Sequence, residues 1–182
     1  ICMRAKMKRR RRPKSLHKVD PEKFGDIWTC DHVIMQDWFG CRGVGGYPDL
    51  FNLLDLATRA KYSYPVHAKD TLETFTCLNH CKGEDPVVKV YADNWGGIDK
   101  AVKELKAQYQ PCQPGVHKSN SIIERCNQDI IYGTRCLLLR AGMPACFWPY
   151  AAPCYCFLEN IEKNLFHHDQ KLGANLKLQK KQ

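Results

Sequence analysis

The sequence has no apolar run approaching the roughly 18 residues that a membrane-spanning helix requires. Its first dozen residues are basic rather than apolar, so no signal peptide is expected there. A soluble intracellular chain with no membrane partner is the resulting expectation. Despite 11 cysteines the sequence contains no C-x-x-C pair, which argues against a zinc ribbon or a thioredoxin-like redox motif. The odd count, and positions inside apolar runs such as Ala145-Cys146-Phe147-Trp148, predict reduced core residues instead. Cys77, His80 and Cys81 form the nearest approach to a metal-ligand cluster, and a Cys and His on one helical turn are more often simply buried. The glycine-rich stretch 40–46 lacks the Lys-Ser/Thr of a phosphate-binding loop and leads into Tyr47-Pro48, so it is expected to be a flexible hairpin connection.

Acidic residues are also in deficit. Against 28 Lys and Arg there are 19 Asp and Glu, a formal charge of +9 that favours a polyanionic partner such as nucleic acid or an anionic membrane surface, between which charge alone does not choose. With 182 residues there is room for one globular domain with a tail at each end. Residues 1–23 hold Lys6, Lys8, Arg9, Arg10, Arg11, Arg12 and Lys14 with too little apolar surface to fold alone, which predicts a basic arm. Such an arm suits phosphate contact or nuclear localisation as well as a solvated linker. Residues 164–182 read as a basic, polar tail.

Between the tails, β-type runs at Ile27 to Val33, Leu50 to Leu56 and Tyr62 to Val66 predict an antiparallel meander. Helical spacing follows through Leu72, Phe75, Thr76 and Asn79, broken at Gly83 to Pro86. Val87 to Ala92 predicts a buried strand ending at Asp93, and Ile98, Ala101, Val102 and Leu105 predict a short helix. Gln110 to Gly115 reads as a loop. A long helix is expected from Ser121, with Ile123, Cys126, Ile130, Leu137, Leu138 and Ala141 on one face, ending at Gly142. A last helical stretch from Ala145 is interrupted by Pro149 and Pro153. This order is that of an α/β sandwich with a mixed sheet.

Three acids stand at places that matter for chemistry. Asp31 lies inside the first strand, where a charge is costly unless it is paired or binds metal. Asp93 ends the fourth strand, at the edge where open α/β sheets place ligands. Glu124 sits in the first turn of the long helix. Each also has a bland reading: Asp31 as a partly exposed strand residue, Asp93 as a turn cap, and Glu124 as the partner of Ser121 in a capping box.

The words around these acids resemble the integrase core of copia-type retrotransposons. The matching segments are Thr29-Cys30-Asp31, Leu54-Asp55-Leu56-Ala57-Thr58-Arg59, Asp93-Asn94 with Gly96-Gly97, and Gly142-Met143-Pro144 with Phe147-Trp148. The most specific is Pro114-Gly115-x-x-Lys118-Ser119-Asn120-Ser121-x-x-Glu124-Arg125-x-Asn127. The resemblance implies a ribonuclease H-like α/β fold over residues 24–163, a five-stranded mixed sheet flanked by helices. It implies that Asp31, Asp93 and Glu124 are catalytic and bind Mg²⁺ or Mn²⁺ for two-metal phosphodiester transfer, while Asp55 is not catalytic. It implies DNA as partner, with Lys118, Asn120, Arg125 and Gln128 holding phosphates, and by analogy a homo-oligomer acting in the nucleus after assembly in the cytoplasm. Arg125 has a structural alternative, an ion pair with Asp129 one turn on. Cys2 and the basic run after it resemble the end of the zinc module that precedes such cores. The chain departs from the family in a shorter interval from Asp93 to Glu124 and in a bulky Trp95 beside Asp93. Two other readings remain: an inactive integrase-derived DNA-binding protein, and a ribonuclease H-like nuclease that cuts without joining.

Overall fold

Strand β1 (Ile27–Ile34) is central because its residues serve two faces. Trp28 and Cys30 point into one apolar core, while the Thr29 and Asp31 side chains lie on the opposite face. The computed structural model describes residues 21–35, 41–112 and 121–162. Most of the expected basic arm, the tail, Cys2, Lys118 and Asn120 lie outside those residues.

β1 pairs antiparallel with β2 (Asp49–Asp55), which pairs antiparallel with β3 (Lys61–Val66). Helix α1 (Thr71–Lys82) then carries the chain across, and β4 (Lys89–Ala92) enters parallel to β1. Helix α2 (Gly96–Glu104) leads to β5 (Gln108–Pro111), again parallel, giving the sheet order β3-β2-β1-β4-β5. This is the mixed five-stranded sheet of the ribonuclease H-like fold. The expected loop beginning at Gln110 is corrected, since Gln110 and Pro111 belong to β5. Proline is tolerated there because an edge strand has no partner on its outer side.

Two cores clamp the sheet. On one face Leu78, Ile98, Ala101 and Val102 from α1 and α2 pack on Trp28, Phe51, Leu53 and Val90. On the other, helix α3 (Ser121–Ala141) and a helix α4 over 148–162 bring Ile123, Ile130, Trp148 and Ala152 onto Leu50 and Leu54. Apolar burial on both faces makes the sheet a three-layer sandwich.

Helix faces differ in part from their expected residues. α1 buries Thr74, Cys77, Leu78 and Cys81, whereas Leu72, Thr76 and Asn79 are exposed. α3 buries Asn127 and Thr134 in its stripe, leaving Leu137 half-buried and Ala141 exposed. α3 stops where expected, at Gly142, whose φ of 64° is costly for any residue with a Cβ. α4 is not interrupted by its prolines. Pro149 is in the first turn, where its missing N–H has no intrahelical acceptor, and Pro153 forfeits a single bond.

The glycine-rich loop is a docked segment over its described part rather than a flexible connection. Val44 N–H donates to the Cys146 carbonyl at 2.8 Å, and Gly43 lies flat against Trp148 and Pro149. The cysteines are also not uniformly core residues. Six of those described are buried, but Cys41, Cys136, Cys146 and Cys154 are exposed, and no disulfide forms among them. None of the described helices is long and apolar enough to cross a membrane.

Candidate active site

The parallel register of β1 and β4 ends at Cys30 opposite Ala92. Asp31 and Asp93 are each the next residue, so the two carboxylates leave adjacent strands at one sheet edge. Asp31 is half-buried and Asp93 exposed. Burial raises the Asp31 carboxyl above the ordinary carboxylate range and the neighbouring Asp93 charge adds to it, opposed by the His32 N–H, Asn127 and Lys69.

Asp31 accepts two hydrogen bonds, from its neighbour's His32 N–H to Oδ1 at 2.8 Å and from Asn127 Nδ2 to Oδ2 at 2.9 Å. Asp93 Oδ1 accepts from the Asn94 N–H at 2.9 Å, and its carbonyl accepts from Tyr109 Oη at 2.7 Å, which ties the turn to β5. Asp93 therefore does not cap α2, whose N-cap is Trp95.

Glu124 is exposed in the first turn of α3, one turn before Asn127 and on the same side of the helix. Among the described residues no three His, Cys, Asp or Glu side chains gather as a metal-holding group. The strand register sets Asp31 and Asp93 at neighbouring positions, and Glu124 is exposed at the start of α3. Cys77 and Cys81 are buried thiols pushed up to about 12, and His80 Nδ1 lies 3.1 Å from Tyr64 Oη. The Asp31 and Asp93 pair suits Mg²⁺ or Mn²⁺ by donor chemistry, because such ions take one or two carboxylates and complete their shell with water and substrate phosphate.

Side chains on both faces of the sheet around the pair went unassigned in the sequence. His32 lies 4.8 Å from Phe51 and 5.5 Å from Trp95 by ring centroids, with Nε2 3.3 Å from Thr74 Oγ1. The Lys69 ammonium sits 5.2 Å over the Trp95 ring. Asn127 and Asn52 are buried amides. Their signal was present in the sequence, since Asn52 interrupts the apolar run Leu50 to Leu54 and Asn127 is three residues from Glu124.

Asp55 behaves structurally. Fully buried, it accepts from the Gly25 N–H at 3.0 Å and from the Thr58 N–H and hydroxyl, both at 2.7 Å, closing the β2–β3 turn. Arg125 and Gln128 are exposed on α3. Arg125 lines an open depression of about 360 Å³ with Arg59, Lys61 and Asp129. Asp129 ion-pairs with Lys61, so the alternative Arg125–Asp129 pair does not form.

No family model matches the sequence, and no curated protein matches it. The fold does have solved counterparts. One is the cryo-EM structure of the simian T-cell lymphotropic virus intasome in complex with PP2A regulatory subunit B56 gamma, at a TM-score of 0.62 and 14% identity. The match covers 78% of this chain and 50% of that one, so the chain spans about half the length of its structural counterpart. The fold of this chain is the integrase-like α/β fold seen in a retroviral intasome.

Proposed function

We propose that the chain is the catalytic core of a copia-type retrotransposon integrase, which trims DNA ends and joins them to target DNA. The single observation that carries this reading is the placement of Asp31, inside β1, and Asp93, just past β4, side by side where the parallel pairing of the two strands stops, in an integrase-like fold. Bound there, Mg²⁺ or Mn²⁺ supplies activation of the attacking oxygen and stabilisation of the leaving one. Asp31 is presented by its bonds to His32 N–H and Asn127. Glu124, exposed in the first turn of α3, completes the set. Arg125 and Gln128 on the same turns, with Lys118 and Asn120 just before them, hold DNA through its phosphates. Target choice is then weakly sequence-specific. In this reading the chain derives from a polyprotein, works as a homo-oligomer, assembles in the cytoplasm and acts in the nucleus.

The test is a Mg²⁺-dependent nicking and strand-transfer assay on duplex DNA, comparing the chain with its Asp93→Asn variant. Joined products from the wild type alone support the proposal, and equal activity of the two sinks it. Cleavage without joining would mark a ribonuclease H-like nuclease instead. One observation favours a further reading, an integrase-derived DNA-binding protein without catalysis: among the described residues no three acids gather as a metal-holding group. DNA binding with no metal-dependent product from either protein is its signature.

A further inference from the structure

A line of buried hydrogen bonds runs from β3 to Asp31. Ser63 Oγ donates to Asn52 Oδ1 at 2.7 Å, Asn52 Nδ2 donates to Asn127 Oδ1 at 2.9 Å, and Asn127 Nδ2 donates to Asp31 Oδ2 at 2.9 Å. Sheet register aligns the strand members, with Asp31 opposite Asn52 and Asn52 opposite Ser63. Asn52 is 0% exposed, Ser63 4% and Asn127 7%, so water does not compete for the two bonds among them.

The chemistry of the groups sets the direction of the line. An ionised carboxylate only accepts, so Asn127 must turn its NH₂ to Asp31 and its oxygen to Asn52. Asn52 must then donate to Asn127 and present its own oxygen to Ser63, whose hydroxyl rotates to donate. Reversing either amide would set donor against donor or acceptor against acceptor in a buried place, which is more costly than a missing bond at the surface. A leucine at position 52 would complete the apolar strand and need no partner. The buried amide is accounted for by what it holds.

We infer that Ser63 and Asn52 are positioning residues for the Asp31 carboxylate, anchoring in place the Asn127 amide that donates to it. The cation-holding purpose of this relay rests on the proposed metal role of Asp31 and Asp93.

The experiment uses the full chain and its Ser63→Ala, Asn52→Leu and Ser63→Thr variants, with circular dichroism to confirm folding. Ser63→Ala removes one buried atom and serves if Asn52→Leu does not fold. Two quantities are measured: hydrogen exchange of the Asn127 side-chain amide by NMR without metal, and Mn²⁺ affinity by calorimetry. Ser63→Ala and Asn52→Leu are expected to speed that exchange and to weaken Mn²⁺ binding by about tenfold, while Ser63→Thr, which keeps the hydroxyl, matches the wild type. Unchanged Asn127 exchange in folded Ser63→Ala overturns the relay. Faster exchange with undiminished Mn²⁺ affinity overturns its cation-holding purpose. Faster exchange in a protein whose wild type binds no Mn²⁺ upholds the relay and overturns the metal reading of Asp31 and Asp93.

Discussion

Lys61 of β3 reaches over the sheet face to ion-pair with Asp129 of α3, joining the outer strand to the helix that carries Glu124. Glu159 of α4 is the second counter-charge, at 3.2 Å. Burial by itself lowers the pKa of the Lys61 ammonium, but the hydrogen bonds and charges of Asp129 and Glu159 outweigh it and raise the pKa above its ordinary value. Replacing both acids by Asn and Gln strands a buried ammonium. The double variant is expected to lose about 2 kcal/mol in urea unfolding, less than the roughly 3–5 kcal/mol of a fully buried pair because Asp129 is exposed. A stability equal to wild type would show that the ammonium is solvated instead.

His32 is expected to make the protein acid-sensitive. Burial, with Lys69 adding to it and Asp70 opposing, pushes its imidazole down from 6.5 to about 4. Its Nδ1 has no hydrogen-bond partner, so a proton there would gain little. The unfolded chain takes up the proton below its ordinary pKa while the folded one does not. Stability is therefore complete above pH 6.5, is lost as pH falls towards 4, and levels off below that. The loss amounts to about 2–3 kcal/mol by linkage. An NMR titration of the His32 ring with its midpoint near 6.5 would contradict this.

Gly43 is expected to be intolerant of substitution. A Cβ at this position would overlap the Pro149 and Trp148 rings, both of which are buried. Neither can swing aside as a flexible chain would. Gly43→Ala should cost about 1–3 kcal/mol through overpacking, read as a lower thermal midpoint. An unchanged midpoint would mean that the loop is held loosely.

Arg125 is expected to contribute charge rather than sequence preference to DNA binding. The guanidinium is left available because Asp129 is engaged by Lys61. Arg125→Ala should weaken binding to unrelated duplexes alike and reduce the salt slope of log K by about 1, measured by fluorescence anisotropy in Ca²⁺. A loss confined to one DNA sequence would point to base contact instead.

Much of the architecture was legible along the chain because it depends on local pattern. Strands β1 to β4 follow runs of apolar and β-branched residues, and α2 follows the spacing of Ile98, Ala101, Val102 and Leu105. β5 escaped because Gln108-Tyr109-Gln110-Pro111 is polar and mostly exposed, the composition of an edge strand and equally of a loop. The buried face of α1 escaped for a related reason. Its core residues include Thr74, Cys77 and Cys81, whose polarity hides the period, and the Thr74 hydroxyl is satisfied within the helix by the Asp70 carbonyl at 2.6 Å.

By itself the sequence determined the basic charge, the order of the elements and which acids stand at strand and helix ends, because these follow from residue identity and short-range periodicity. Only the tertiary structure decided which side chains meet. Register placed Asp31 beside Asp93 and opposite Asn52, and packing of α3 on the second face brought Asn127 to Asp31. The same packing buries Ile123, Cys126, Asn127 and Ile130 and leaves Glu124, at the border of that stripe in the first turn, exposed. Contacts of this kind join residues 75 to 96 positions apart, a separation across which no local pattern carries information.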